Sequence, residues 1–190
     1  MGAVEKIYLS PADFLEFERA SDTKHEYYQG EVFDMSGASL KHNILFSNIF
    51  SGLTTALKGK ECRPFGSDLR VHIPINTLYT YPDISVVCGK VETTDDSFDT
   101  ITNPTVIIEI LSASTRNYDL GKKFLLYRQI PSLKNYIMID SEEVRVLMYT
   151  RNDNQTWIFE EHTNLENILT INAIGTVLEI KNIYETVDFK

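Results

Sequence analysis

Positive charge is in short supply here: 18 Lys and Arg stand against 27 Asp and Glu in 190 residues, a net charge of −9. Proteins that grip nucleic acid through its phosphates usually present a basic surface. A phosphate-binding role would therefore have to rest on local potential rather than on the global charge. The charge is unevenly spread, because Glu92, Asp95, Asp96 and Asp99 crowd one stretch, while Arg116, Lys122, Lys123 and Arg128 gather further on. Long apolar runs are also missing. The first residues, MGAVEKIYLS, do not resemble an export signal, and no segment is long enough to cross a bilayer, so a cytoplasmic location is expected. Only two cysteines occur, Cys62 and Cys88, and in such a chain they are expected to be free thiols. No G-x-S-x-G elbow is present and no histidine lies near Ser112 or Ser114, which argues against a serine nucleophile.

What is present reads as one domain over residues 1–190, with a mixed α/β pattern. Ser10-Pro11-Ala12-Asp13 starts a helix that should run to about Ala20. HEYYQGEVFDMSG reads as two short strands around Gly30. From Ser39 to Lys58, Leu40, Ile44, Leu45, Ile49, Leu53 and Leu57 recur at helical spacing, and Gly59 supplies a stop. Strands are expected at Glu61–Phe65, Asp68–Ile73 and Tyr81–Cys88, then a polar connection over Gly89–Asn103, then a strand at Pro104–Leu111. Asp119 can cap a helix running to Ile130, ended by Pro131. NYIMID, EVRVLMYTR and QTWIFEE read as successive strands, with another near Thr176–Ile180. The helix between PTVIIEILS and NYIMID fits a crossover that would make those two strands parallel neighbours.

Within PTVIIEILS a carboxylate, Glu109, interrupts a strand that is apolar on both faces. Side chains alternate along a strand, so Glu109 shares a face with Ile107 and Leu111. A carboxylate taken out of water needs a partner or a ligand, either an arginine at the sheet rim or a functional site. Asp83, in TYPDISVVCG, is a second candidate at the start of a strand; taken alone it could equally be a turn acid, and Glu31 a hairpin-edge acid. At about 100° per residue, Leu120, Phe124, Tyr127 and Ile130 define the inward face of the second helix, and Lys123 falls inside that arc while Lys122 points aside. Two carboxylates and a lysine brought together would suit magnesium, which prefers hard oxygen ligands and binds phosphate oxygens.

The runs HEYYQGEVFDMSGAS with the following His42, then SDLRV, YPDISVV, PTVIIEILSASTRNYDLGKKFLLYRQI and KNYIMID, resemble the Uma-two family of restriction-endonuclease-like proteins in the PD-(D/E)XK superfamily. The likeness spans about Glu26 to Asp140, and Glu109, Leu111, Ser112, Ser114, Thr115, Asp119, Lys123 and Tyr127 carry its strongest signature. It implies a restriction-endonuclease-like fold, a central mixed sheet flanked by helices with additional C-terminal strands. It further implies a Mg²⁺- or Mn²⁺-dependent endonuclease acting on DNA. Carried over by position, Asp83 and Glu109 are the metal ligands, Lys123 the catalytic lysine and Glu31 an accessory acid. Leu111 departs from the superfamily pattern, which has lysine two residues after the acid, and Lys123 matches the place from which this family supplies one. Arg116 and Arg128 are candidate DNA contacts, and a homodimer would suit cleavage of both strands. The alternative is an inactive member that serves as a nucleic-acid-binding or oligomerisation module.

Overall fold

A computed structural model describes residues 8–35, 37–113 and 115–189, so Ser114 lies outside the described residues. Helix α1 spans Pro11–Ala20 as expected, with the Ser10 hydroxyl accepting from the Asp13 amide at 3.2 Å and Pro11 in the first turn. Strands β1 (His25–Tyr28) and β2 (Glu31–Asp34) form an antiparallel hairpin. Its turn holds Gln29 at φ 49° and Gly30 at φ 95°, the left-handed pair that tight hairpins require. A Cβ on Gly30 would also lie 2.8 Å from Tyr8 Cδ1. Helix α2 (Leu40–Ala56) is capped by Ser39, whose hydroxyl accepts from the His42 amide at 3.2 Å.

Strands β3 (Cys62–Gly66), β4 (Arg70–Ile73), β5 (Leu78–Thr80), β6 (Ile84–Cys88), β7 (Thr100–Ile101) and β8 (Val106–Leu111) follow. The strand expected at Tyr81–Cys88 thus begins only at Ile84, and Leu78–Thr80 forms a separate short strand. Pro82 has no amide hydrogen to give to a ladder, so the chain breaks there. The helix expected from Asp119 begins three residues earlier. It comprises α3 (Arg116–Tyr118), a π-helical turn (Asp119–Lys123) and α4 (Phe124–Tyr127). Asp119 is therefore inside the helix rather than its cap. Strands β9 (Asn135–Asp140), β10 (Val146–Arg151) and β11 (Trp157–His162) agree with the sequence reading. Strands β12 (Ile168–Ile171) and β13 (Thr176–Glu179) then pair, and a short helix α5 (Ile180–Ile183) follows.

The six-stranded sheet has the order β11-β10-β9-β8-β6-β3 and is mixed. β8 runs parallel to β9, across the helical crossover, and antiparallel to β6. A five-stranded sheet, β2-β1-β5-β4-β7, stands beside it, where the sequence suggested one central sheet. Strand alternation divides the β8 side chains as expected. Val106, Ile108 and Ile110 join Leu45, Ile49 and Leu53 of α2 in one apolar cluster; Ile107 and Leu111 join Leu126, Tyr127 and Tyr136 in another. The sheet is thus held between α2 and the π-containing helix, and Glu109 faces the latter.

The cysteine expectation is corrected. Cys62 and Cys88 sit directly opposite each other on β3 and β6 and are disulfide-bonded, their Cα atoms 3.9 Å apart. Spacing along the chain carried no information on the register that opposes them. Among the described residues no helix is long and apolar enough to cross a membrane.

The Gly30 turn joins β1 to β2 in the register that sets Tyr28 opposite Glu31. Gly30→Ala is expected to lower unfolding stability by about 1–2 kcal/mol, the usual cost of a side chain in left-handed backbone. Urea unfolding measures it; an unchanged midpoint would show that the turn relaxes freely.

Candidate active site

Asp83, the residue before β6, and Glu109, on β8, are tied to each other through the sheet. The Asp83 carboxylate accepts the Ile110 amide at Oδ2 (2.7 Å), and the Asp83 amide donates to Glu109 Oε2 (3.4 Å). Glu109 Oε1 accepts the Tyr127 hydroxyl at 2.7 Å and lies 3.0 Å from Lys123 Nζ. Lys123 is also 3.3 Å from Glu26 Oε1 and 3.4 Å from Asp119 Oδ1. Glu26, on β1, accepts in turn from the Thr80 hydroxyl. His42 Nε2 of α2 lies 3.1 Å from Asp83 Oδ1. Glu26, His42, Asp83, Glu109, Asp119 and Lys123 line a cleft of about 820 Å³.

The π turn holds Asp119 and Lys123, four residues apart and both buried. Its wider ring changes the angular spacing of an ordinary helix, and such turns recur at functional sites. A lysine here keeps its charge only because acids surround it.

Three carboxylates, those of Glu26, Glu109 and Asp119, thus gather about one ammonium, and Asp83 is tied to Glu109 through its amide. Burial pushes the Glu109 carboxyl up to about 8 against the pull of Lys123, and the nearby Asp83 and Asp119 charges push the same way. Burial raises Asp119 as well. Burial works against the Lys123 charge, but Glu109, Tyr127, Glu26 and Asp119 outweigh it and hold the ammonium well above its ordinary value. Burial keeps Tyr127 a phenol, and so a donor to Glu109.

This donor set suits a hard divalent cation. All the acids are oxygen donors, and their excess negative charge is what a cation would offset. Asp83 and Glu109 each retain lone pairs beyond those already engaged. Among the described residues no three His, Cys, Asp or Glu side chains converge tightly enough to enclose an ion. An ion at this place would therefore keep several waters, which is the habit of magnesium.

Comparison with known proteins agrees with the fold and gives the family. Residues 11–181 match the Uma2 family, described as "Putative restriction endonuclease". The chain belongs to this family. Two uncharacterized proteins of Synechocystis sp. are similar to it. One is 33% identical over 95% of this chain and 94% of its own length. The other is 35% identical over 80% of this chain and 86% of its own length. A crystal structure from Anabaena variabilis, described as "a putative nuclease belonging to DUF820", superposes with a TM-score of 0.77 at 20% identity. It covers 93% of this chain and 97% of that one, and so shares the fold.

Of the residues singled out from sequence, the structure brings Asp83, Glu109 and Lys123 of this Uma2 protein together. Glu31 is not in that group. It stands opposite Tyr28 near the hairpin turn and accepts from the Tyr8 hydroxyl at 3.5 Å, while the hairpin acid that reaches Lys123 is Glu26. Arg116 is engaged by Asp140 and Glu143. Arg128 is exposed at the end of α4 and does not line the cleft. Glu26, Asp119, Tyr127 and His42 were not assigned site roles from sequence. The acid before the tyrosine pair in HEYY, the helical register of Tyr127 with Lys123, and the presence of His42, Asp119 and Tyr127 in the family-like runs were the available signals.

Because burial raises the Glu109 carboxyl above its usual 4.5, the folded chain holds that proton more tightly than the unfolded one. Its contribution is present below 4.5 and is withdrawn as pH rises toward 8. Glu109→Gln has no such proton. Wild-type stability relative to Glu109→Gln is therefore expected to fall over that interval in urea unfolding. A difference that stays flat would mean that Lys123 holds Glu109 ionised throughout.

Proposed function

We propose that this Uma2 protein is a Mg²⁺- or Mn²⁺-dependent endonuclease of the PD-(D/E)XK type, hydrolysing phosphodiester bonds of cytoplasmic DNA. The observation that carries the reading is the convergence of Asp83, Glu109 and Lys123, with Lys123 Nζ 3.0 Å from Glu109 Oε1. Asp83 and Glu109 would hold the cation through carboxylate oxygens. Bound there, the cation supplies Lewis-acid stabilisation of a phosphoryl oxygen and lowers the pKa of a coordinated water.

The remaining roles belong to the chain itself. Lys123 directs its ammonium at Glu109, where it can hold the attacking water and offset charge developing on phosphorus. Glu26 and Asp119 keep that ammonium charged and aimed. Tyr127 donates to Glu109 Oε1, which leaves Oε2 on the Asp83 side. The cleft walls restrict bulk water around the reacting groups. Lysine is absent two residues after Glu109 because Leu111 packs into the apolar cluster beneath the helix. Two chains related by a two-fold axis could address both strands of a duplex. The net charge of −9 favours the second reading, a chain that keeps the fold as a binding or oligomerisation module.

Purified protein is expected to nick or cut plasmid DNA with Mg²⁺ or Mn²⁺ and to lose this activity in chelator. Asp83→Ala and Glu109→Ala should abolish both cleavage and calorimetric metal binding. Lys123→Ala should cost at least ~10²-fold in rate, a typical loss for an electrostatic group at the reacting centre. Metal binding through Asp83 and Glu109 with no cleavage of any nucleic acid would favour the module instead.

A further inference from the structure

The metal-binding reading leaves one neighbour of Asp83 unassigned. His42 lies in the first turn of α2, where the Ser39 hydroxyl holds its amide at 3.2 Å. Its side chain is 15% exposed and sets Nε2 3.1 Å from Asp83 Oδ1. The other Asp83 oxygen already accepts the Ile110 amide at 2.7 Å. An imidazole in this place can do one of two things. It can donate an Nε2 hydrogen to Asp83, or it can turn an Nε2 lone pair toward an ion that Asp83 shares.

The two arrangements differ in which ring nitrogen carries the hydrogen. A metal-bound imidazole carries it on the other nitrogen and almost always gives it to an acceptor. His42 Nδ1 is buried and has no hydrogen-bond partner among the described residues. A hydrogen there would be a buried donor with nothing to accept it, a costly arrangement. With the hydrogen on Nε2 no donor is stranded, and Asp83 Oδ1 receives it.

We propose that His42 is a positioning residue for Asp83 and not a metal ligand. It donates Nε2–H to Oδ1, so that the helix and the sheet fix the two oxygens from opposite sides. The remaining lone pairs of Asp83 are then held toward the cleft before any cation arrives. This role rests on reading Asp83 and Glu109 as the metal-binding pair.

The test has a readout that a merely structural histidine would not move. In metal-free protein labelled with ¹⁵N-histidine, with the His42 signals assigned through His42→Gln, the hydrogen is expected on Nε2. Calorimetry with Mn²⁺ should show about 10–100-fold weaker binding in His42→Ala, as for other residues that orient a ligand. His42→Gln, whose amide can donate from the same place, should recover most of that loss. Pulsed EPR of the Mn²⁺-loaded wild type should show no imidazole nitrogen coupled to the ion. A hydrogen on Nδ1, or such a coupling, overturns the proposal, and both are measured on wild-type protein should His42→Ala fail to fold. Mn²⁺ bound through Asp83 but undiminished in His42→Ala overturns the positioning role alone. Wild-type protein that binds no Mn²⁺ overturns the metal reading and the positioning role with it.

Discussion

The contact between Lys123 and Glu109, 3.0 Å across the space between sheet and helix, is the constraint around which the rest is arranged. Both side chains are nearly sealed from water. Neither is tolerable there alone, because an uncompensated buried charge is strongly destabilising. The helix must therefore dock on β8 in the register that joins them. Tyr127, one turn further along, donates to the same Glu109 oxygen and sits fully buried beside Tyr136. Apolar packing and ion pairing thus select the same alignment, which is what makes the arrangement specific rather than merely stable.

The lysine comes from the helix because the strand has no room for it. Leu111 lies on Glu109's face but is enclosed with Leu126, Tyr127 and Met138, so an ammonium at that position would end in hydrocarbon. The π turn supplies the substitute. It carries Asp119 and Lys123 into the interior together, and the i,i+4 contact of 3.4 Å between them keeps each from being an isolated charge. Strand and helix have divided the work: β8 provides an acid and filler, and the helix provides the cation.

Some of this could be read from residue order alone. Alternation assigned the two faces of PTVIIEILS correctly, and the helical arc picked Lys123 over Lys122, because both inferences depend only on local periodicity. Capping chemistry found α1, but the same rule misled at Asp119, where burial beside Lys123 overrides a good local N-cap signal. The second sheet was invisible, since the pairing of β1 with β5 and of β4 with β7 joins segments far apart in the chain. The choice of Glu26 over Glu31 has the same origin. It depends on how the whole hairpin lies against β5 and the helix, which neither strand encodes. The disulfide likewise needed the β3–β6 register. His42 received no role from sequence because nothing local announces that the first turn of α2 faces the end of β6.

The acidic character of the chain then takes on a different meaning. A net charge of −9 argues against a surface that grips phosphates indiscriminately, and the cleft itself is no exception, with three carboxylates around one lysine and Asp83 beside Glu109. A phosphodiester approaching this cluster meets repulsion, so on the proposed reading it cannot be the first ligand to arrive. On that reading a divalent cation held by Asp83 and Glu109 would offset most of the excess and supply the positive centre that a phosphate oxygen needs. The acids would then serve the ion, and only through the ion the substrate. Lys123, already committed to Glu26, Glu109 and Asp119, cannot attract a phosphate by itself. On the proposed reading its ammonium would be free to act on the reacting water and phosphoryl group only to the extent that a cation took over the neutralisation of Glu109.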